Sequence, residues 1–289
     1  MKVLDNLPTV MSKRFLAALL CLAISTWTRA DHPPIPPLPV TYAPNDDSFY
    51  QEQYRALYVK TGLSIRSAYR TVLESEMYSK SLGLTTAFQF RYPIRVEIKN
   101  IPEESLYRGL QGTAGWEKVD GQWVHVLTLN IGAYIQNHDE DVNALLAHEM
   151  AHIVLADFMG VEETVKIPRW LNEGLAQSVT NEGRSRVSDL ATSLGWTTSM
   201  LLPCELDAPE DTFAHGEGNY QCYPEYYLAT ERVNQLGGIS AAGKILRDLR
   251  NNASFADAFQ SATGTDYSFF QHDVDAFMAD VITDRKPNP

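Results

Sequence analysis

Basic residues are in short supply in this 289-residue chain. There are 24 lysines and arginines against 36 aspartates and glutamates, which gives a formal net charge of −12 at pH 7. A protein that binds nucleic acid or an anionic membrane surface needs clustered positive charge. The composition provides no such footprint, and we expect neither kind of partner.

Long apolar runs are also missing. The run from Phe15 to Ile24 has ten residues, whereas a helix that crosses a hydrocarbon core needs about 20. Two basic residues precede this run, and the small-residue exit Thr28-Arg29-Ala30 follows it. This is the layout of a secretory signal peptide. We therefore expect the protein to be exported, either to the periplasm or out of the cell, with residues 1–30 removed. We expect the mature form to have no membrane span.

Cysteine is scarce, with three residues in all. Cys21 lies within the expected signal peptide, so the mature chain keeps Cys204 and Cys222. An even pair in an oxidising compartment favours a disulfide bond. Two unrelated free thiols are the alternative.

What is present is the composition of a folded protein, with 44% apolar and 21% charged residues. We predict a signal peptide at 1–30, a proline-rich lead-in at 31–47 and a single catalytic domain at 48–289. Within that domain a small mixed β-sheet precedes a mainly helical half. This is an α+β fold, and we expect a zinc cleft between its two parts.

Periodicity predicts the approximate elements. Ile94, Val96 and Ile98 alternate with charged residues as in a half-buried strand, and Asp120-Gly121 predicts a hairpin between 112–119 and 122–131. Gly62 is expected to break or bend the first helix. The expected helices cover about 48–81, 140–158, 168–182, 224–236, 239–250, 254–261 and 268–282. Residues 180–223 are predicted as loop with short helices.

The sequence His148-Glu149-Met150-Ala151-His152 lies within an otherwise apolar stretch, residues 142–158. Two histidines four residues apart lie on one face of a helix, where both can reach one ion at a Zn–N distance of about 2.0–2.1 Å. Burying two histidines and a carboxylate is costly unless they are paired or bind metal. We predict that His148 and His152 bind one Zn²⁺ ion and that Glu149 is the general base.

A catalytic zinc site needs a third protein ligand and leaves the fourth position for water. Glu173 is the candidate, because it lies on an otherwise apolar face of the next expected helix. The weaker candidates are His125, His138, Glu162 and Glu163.

The segments HEMAH and PRWLNEGLAQSV together resemble the gluzincin zinc metallopeptidases, in particular their thermolysin-like and aminopeptidase-like catalytic regions (peptidase MA-like domains). The resemblance covers about residues 93–280, and the ligand motifs are its specific part. It implies that the zinc ligands are His148, His152 and Glu173, that Glu149 is the base, and that the substrate is a peptide or protein.

The family often places a tyrosine or histidine downstream that donates a hydrogen bond to the tetrahedral oxyanion. By its distance before Gly237-Gly238, Tyr223 matches this position best. Tyr226, Tyr227 and His215 stay open as alternatives.

Two features depart from the family pattern. The Gly-x-Met-Glu-Asn stretch that family aminopeptidases use to capture a substrate amino terminus is missing. The nearest sequence, residues 112–115, is instead a candidate edge strand that pairs with substrate backbone. Position 177, one turn after Glu173, is glutamine rather than an acidic partner for the ligands.

The sequence thus predicts an exported zinc peptidase that uses water activated by the metal. Endopeptidase and exopeptidase action both stay open. The alternatives are an amide or ester hydrolase at the same site, a binding or assembly factor that keeps zinc without catalysis, and a latent form in which residues 31–90 cover the cleft.

Overall fold

The computed structural model describes residues 36–42, 51–101, 111–136, 142–180, 182–195, 204, 206 and 222–284. Residues 36–289 group into one compact unit. The predicted signal peptide, His138, His215 and parts of both the proline-rich lead-in and the predicted 180–223 loop lie outside the described residues. None of the described helices is long and apolar enough to cross a membrane.

The alternating segment predicted as a strand is β2 (Ile94–Lys99), which lies inside a four-stranded sheet. Its apolar side chains are buried and the intervening charged ones are partly or fully exposed. β2 pairs in parallel with β1 (Val40–Tyr42) on one side. β1 belongs to the proline-rich lead-in, where the sequence predicted no strand.

The predicted hairpin is also present. β3 (Gly112–Val119) and β4 (Gln122–Asn130) are antiparallel, and β4 runs parallel to β2. Asp120 and Gly121 have φ of 49° and 81°, as a two-residue type I′ turn requires. The strand order β1-β2-β4-β3 makes the sheet mixed and β3 an edge strand.

The first helix, α1 (Gln51–Glu74), runs unbroken through Gly62. Its buried residues recur at three- and four-residue steps, from Leu57 through Thr61 and Ile65 to Val72, and this face packs on the helix that carries both histidines. A glycine inside a helix costs about 1 kcal/mol, which packing along the whole helix outweighs. The expected break at Gly62 was therefore wrong.

A π-helical turn, Met77–Ser81, follows α1. The hydroxyl of its buried Tyr78 donates a hydrogen bond of 3.0 Å to the carbonyl oxygen of Ala151. Ala151 directly precedes His152, so this bond fixes the backbone beside a predicted ligand.

After the short α2 (Ile131–Gln136) comes α3 (Val142–Met159), which carries His148, Glu149 and His152. It is buried along nearly its whole length because α1 packs on one side and β3 and β4 on the other. Its low polarity outside the three functional positions follows from this burial.

Glu173 lies on α4 (Arg169–Gln177), which packs closely on α6 (Cys222–Gly237). A Cβ at Gly174 would lie 2.0 Å from Thr230 Oγ1 and 2.3 Å from the carbonyl oxygen of Tyr226. Only glycine permits this approach, which brings the middle of α4, next to Glu173, against α6 at Tyr226 and Thr230.

The predicted helix 168–182 ends earlier than expected, at Gln177. The Ser178 hydroxyl donates a 2.7 Å hydrogen bond to the Gly174 carbonyl, a local bond that competes with helix continuation. The chain turns and begins α5 (Glu182–Ser193). The remaining α-helices are α7 (Ala241–Arg250), α8 (Phe255–Thr263) and α9 (Phe270–Asp284), and short 3₁₀ helices cover Val161–Lys166 and Tyr267–Phe269. The predicted α+β class is confirmed.

Candidate metal centre

His148 and His152 point their Nε2 atoms at one spot. These atoms lie 3.2 Å apart, and Glu173 Oε2 lies 3.4 Å from the first and 3.6 Å from the second. Among the described residues, these three form the one group of histidine, cysteine and carboxylate side chains whose geometry can hold a metal ion. The structure therefore brings together the three candidate ligand atoms that the sequence predicted.

The other nitrogen of each histidine is engaged with an acceptor. His148 Nδ1 lies 2.9 Å from Glu182 Oε2, and His152 Nδ1 lies 2.9 Å from Asn172 Oδ1. Since both partners are oxygen acceptors, each Nδ1 carries the donated hydrogen. Each Nε2 is left with its lone pair facing the centre, as in a metal-binding histidine.

With these tautomers, the three atoms that meet at the centre are all hydrogen-bond acceptors. Glu173 Oε2 is buried and has no hydrogen-bond partner among the described residues, although both imidazoles lie within ion-pair distance. Three acceptor atoms this close repel one another unless a cation lies between them. A metal ion at this point would satisfy all three.

Protein-family models, curated proteins and solved structures give no match to this chain.

Electrostatics point the same way. Burial alone would raise the pKa of the Glu173 carboxyl, but the adjacent imidazoles of His152 and His148 hold that pKa well below its usual range. Burial alone would lower the pKa of His148, yet the carboxylates of Glu173 and Glu182 raise it well above the ordinary value. The centre therefore favours a positive charge, which either a proton on His148 or a bound metal ion supplies.

Glu149 is buried beside this centre, with an exposed fraction of 6%. Burial raises the pKa of its carboxyl, while the two histidines partly offset that effect. A Cβ on Gly112 of edge strand β3 would lie 3.0 Å from Glu149 Cγ and 3.1 Å from its Oε1. The glycine thus leaves the room that the Glu149 side chain occupies, between the histidine helix and the sheet edge.

Among the predicted tyrosines, Tyr223 is the one whose pKa is most affected by the charge of Glu173. The negative charge of Glu173, followed by burial, raises the pKa of its hydroxyl, and a hydrogen bond with Arg169 opposes this. Burial raises the pKa of Tyr226 to about 12, and Glu173 also contributes. The hydroxyl of Tyr227 instead accepts a hydrogen bond from Arg184 Nε at 3.4 Å.

The weaker ligand candidates within the described residues have other contacts. His125 is fully buried, with Nε2 3.0 Å from Asp157 Oδ1, and it links β4 to the far end of α3. Glu163 forms an ion pair with Lys166, and Glu162 is exposed. None of the three belongs to the metal-binding group.

Three residues of the site were missed in the sequence. Asn172 and Glu182 support the two histidines, and Arg169 hydrogen-bonds to Tyr223. Arg169 had a detectable signal, since it lies one turn before Glu173 on the same helix face. Glu182 had little, because it begins a helix in a stretch without clear periodicity. It supplies the acidic support that the glutamine at position 177 does not.

The predicted cysteine pairing is confirmed, since the sulfur atoms of Cys204 and Cys222 lie 1.99 Å apart. Cys222 begins α6 and directly precedes Tyr223. The disulfide therefore anchors the chain at the end of α6 that faces the metal centre.

Proposed function

We propose that the protein is an exported zinc-dependent peptidase of the gluzincin type, with His148, His152 and Glu173 as ligands and Glu149 as general base. The observation that carries the proposal is the convergence of two Nε2 lone pairs and one orphaned carboxylate oxygen beside a buried glutamate. A structural site would not need that fourth, separately placed carboxyl group.

The ligand set fits zinc. Three corners of a tetrahedron around an ion with ligand distances of about 2.0–2.1 Å are about 3.3–3.4 Å apart. The three separations in the cluster, 3.2, 3.4 and 3.6 Å, bracket this value. When bound, zinc would acidify a water molecule and polarise the substrate carbonyl.

The protein groups divide the remaining tasks. Glu149, which is buried beside the proposed ligands, is placed to accept a proton from the attacking water and to pass it to the leaving amine. Tyr223 is suited to donate a hydrogen bond to the developing oxyanion. Glu182 and Asn172 hold the two imidazoles in the tautomer that binds metal.

Edge strand β3 supports a peptide as substrate. One side of β3 pairs with β4, and no other described strand pairs with its second side. An extended peptide can add to such an edge through main-chain hydrogen bonds. Because Gly112 of β3 lies against Glu149, a peptide bound along this strand would pass the proposed base.

Export is the second element of the proposal, and it is supported by the layout of residues 1–30 and by the paired cysteines. N-terminal sequencing of the protein recovered from the exported fraction is expected to begin at Asp31. An N-terminus that still contains residues 13–24 would contradict removal of the signal peptide.

The decisive experiment combines metal analysis with cleavage. We expect the purified protein to bind one zinc ion and to cut peptides in a diverse mixture, as read by mass spectrometry. Glu149→Gln should keep the zinc and lose about 10²- to 10⁴-fold in kcat. Internal cuts would identify an endopeptidase and trimming from one end an exopeptidase. Zinc binding without hydrolysis of any peptide would contradict the peptidase proposal and leave the alternatives, which are an amide or ester hydrolase, a latent form, and a binding or assembly factor.

A further inference from the structure

Arg186 lies on α5, one turn after Glu182, and contacts two parts of the site. Its Nε and Nη2 atoms donate hydrogen bonds of 2.8 and 2.6 Å to Glu182 Oε1. The other carboxylate oxygen, Oε2, is the one that accepts from His148 Nδ1 at 2.9 Å. The guanidinium therefore fixes the orientation of the carboxylate that orients the metal ligand.

The same guanidinium also lies over the ring of Tyr223. Arg186 Cζ lies 5.1 Å from the centroid of the Tyr223 ring, within the distance of a cation–π contact. Tyr223 lies on α6 and His148 on α3, so one side chain of α5 contacts groups that belong to both. An ordinary helix-surface pair would involve Glu182 and Arg186 alone.

We propose that Arg186 is a positioning residue that couples the metal ligand His148, through Glu182, to the oxyanion donor Tyr223. This inference rests on the proposed function. A planar guanidinium can donate in its plane to a carboxylate while its face covers an aromatic ring, and an ammonium group offers no such plane. The position is therefore expected to require arginine.

Arg184 provides a matched control on the same helix. It is exposed, and its Nε donates to the hydroxyl of Tyr227, so it also joins α5 to a tyrosine of α6. It has no contact with Glu182 or Tyr223 among those the structure describes. Arg184→Met removes a comparable arginine–tyrosine contact away from the metal centre.

The test compares Arg186→Met, Arg186→Lys and Arg184→Met by zinc affinity in chelator competition and by kcat and KM for a cleaved peptide. We expect Arg186→Met to weaken zinc binding about 10-fold. It should also lower kcat about 10-fold, while KM changes much less. Arg186→Lys should keep zinc affinity within about threefold and still lose about fivefold in kcat. Arg184→Met should match the unmutated protein in both.

A second readout does not depend on cleavage. In ¹³C-tyrosine-labelled protein, the Tyr223 signal, assigned with Tyr223→Phe, should shift in Arg186→Met and not in Arg184→Met. If zinc affinity and the Tyr223 signal are equal in Arg186→Met and Arg184→Met, then Arg186 does not couple His148 to Tyr223. If the unmutated protein binds zinc but cuts no peptide, the peptidase proposal fails instead, and these two measurements still decide the role of Arg186.

Discussion

The Nδ1 atom of His152 lies 2.9 Å from the amide oxygen of Asn172, the residue directly before the proposed ligand Glu173. One short segment of α4 therefore supplies both a proposed ligand and the group that orients another proposed ligand. Asn172→Ala should weaken zinc binding about 10- to 100-fold because His152 loses the acceptor that fixes its tautomer. Chelator competition measures this affinity.

Asn172→Asp is the matched variant, since a carboxylate can accept the same hydrogen bond. We expect it to retain zinc affinity within about threefold of the unmutated protein. Equal affinities for all three proteins would show that Asn172 does not orient His152.

The two candidate histidine ligands could be predicted because their spacing is a local feature of the sequence. Two histidines four residues apart meet on any α-helix, and the structure confirms their convergence with Glu173. The supporting residues depend on tertiary structure. Glu182 reaches His148 because α4 ends at Gln177 and the chain turns back, which periodicity alone does not reveal.

The same distinction applies to the fold. The Asp120-Gly121 hairpin and the alternating β2 were predictable from local turn chemistry and side-chain pattern. β1 was not, because three residues in a proline-rich stretch become a strand only through pairing with β2. The packing of α1 on α3 likewise overrides the local preference of Gly62.

Gly62 leads to a stability prediction. It lies on the exposed side of α1, and a Cβ there would approach Tyr42 Oη at 3.6 Å, an ordinary van der Waals distance. Gly62→Ala should raise the free energy of unfolding by about 0.4–1 kcal/mol, because alanine restricts the unfolded chain and favours the helix. Urea denaturation measures the change. A loss of stability would indicate that α1 is strained at this point.

Gly112 leads to a prediction about the proposed base. A Cβ there would lie 3.0 Å from Glu149 Cγ and 3.1 Å from Leu145 Cδ1, so Gly112→Ala should displace the Glu149 side chain. We expect kcat to fall about 10- to 100-fold while zinc binding persists, since neither histidine is touched. Peptide-cleavage kinetics and metal analysis of the same sample separate the two effects.

Gly115 on the same strand is the comparison, because a Cβ there meets no atom of the described residues within 4 Å. Gly115→Ala changes β3 without reaching Glu149 and should lose much less activity than Gly112→Ala. Equal losses would trace the effect to the strand and not to the base.

The bond between Cys204 and Cys222 closes a loop with a sequence separation of 18. Replacing both residues by serine should lower the free energy of unfolding by about 3 kcal/mol, because the unfolded chain regains the entropy of the open loop. Guanidinium denaturation with and without a reducing agent measures this. The reducing agent should destabilise the unmutated protein and leave the double-serine variant unchanged; an effect on both would point to a different cause.

We expect Glu225 to make the free energy of unfolding depend on pH. It is almost fully buried, with an exposed fraction of 1%, and Oε2 accepts a 2.8 Å hydrogen bond from the Cys204 backbone N–H. Burial, with a smaller contribution from Asp275, raises its pKa from 4.5 to about 7, although hydrogen bonds from Cys204 and Gln271 oppose the change.

Because the folded state holds this proton more tightly than the unfolded chain, the contribution to stability is fully present below about pH 4.5. It is lost as the pH rises to about 7, at about 1.4 kcal/mol for each unit of pKa difference. Over this window the Glu225 carboxyl should lower the free energy of unfolding by about 3 kcal/mol.

Glu225→Gln keeps an acceptor for Cys204 without a titrating proton. The difference in unfolding free energy between the two proteins, from urea denaturation at pH 4 to 8, should therefore shift in favour of Glu225→Gln as the pH rises. A difference that stays constant with pH would mean that Glu225 ionises in the folded protein as it does in the unfolded chain.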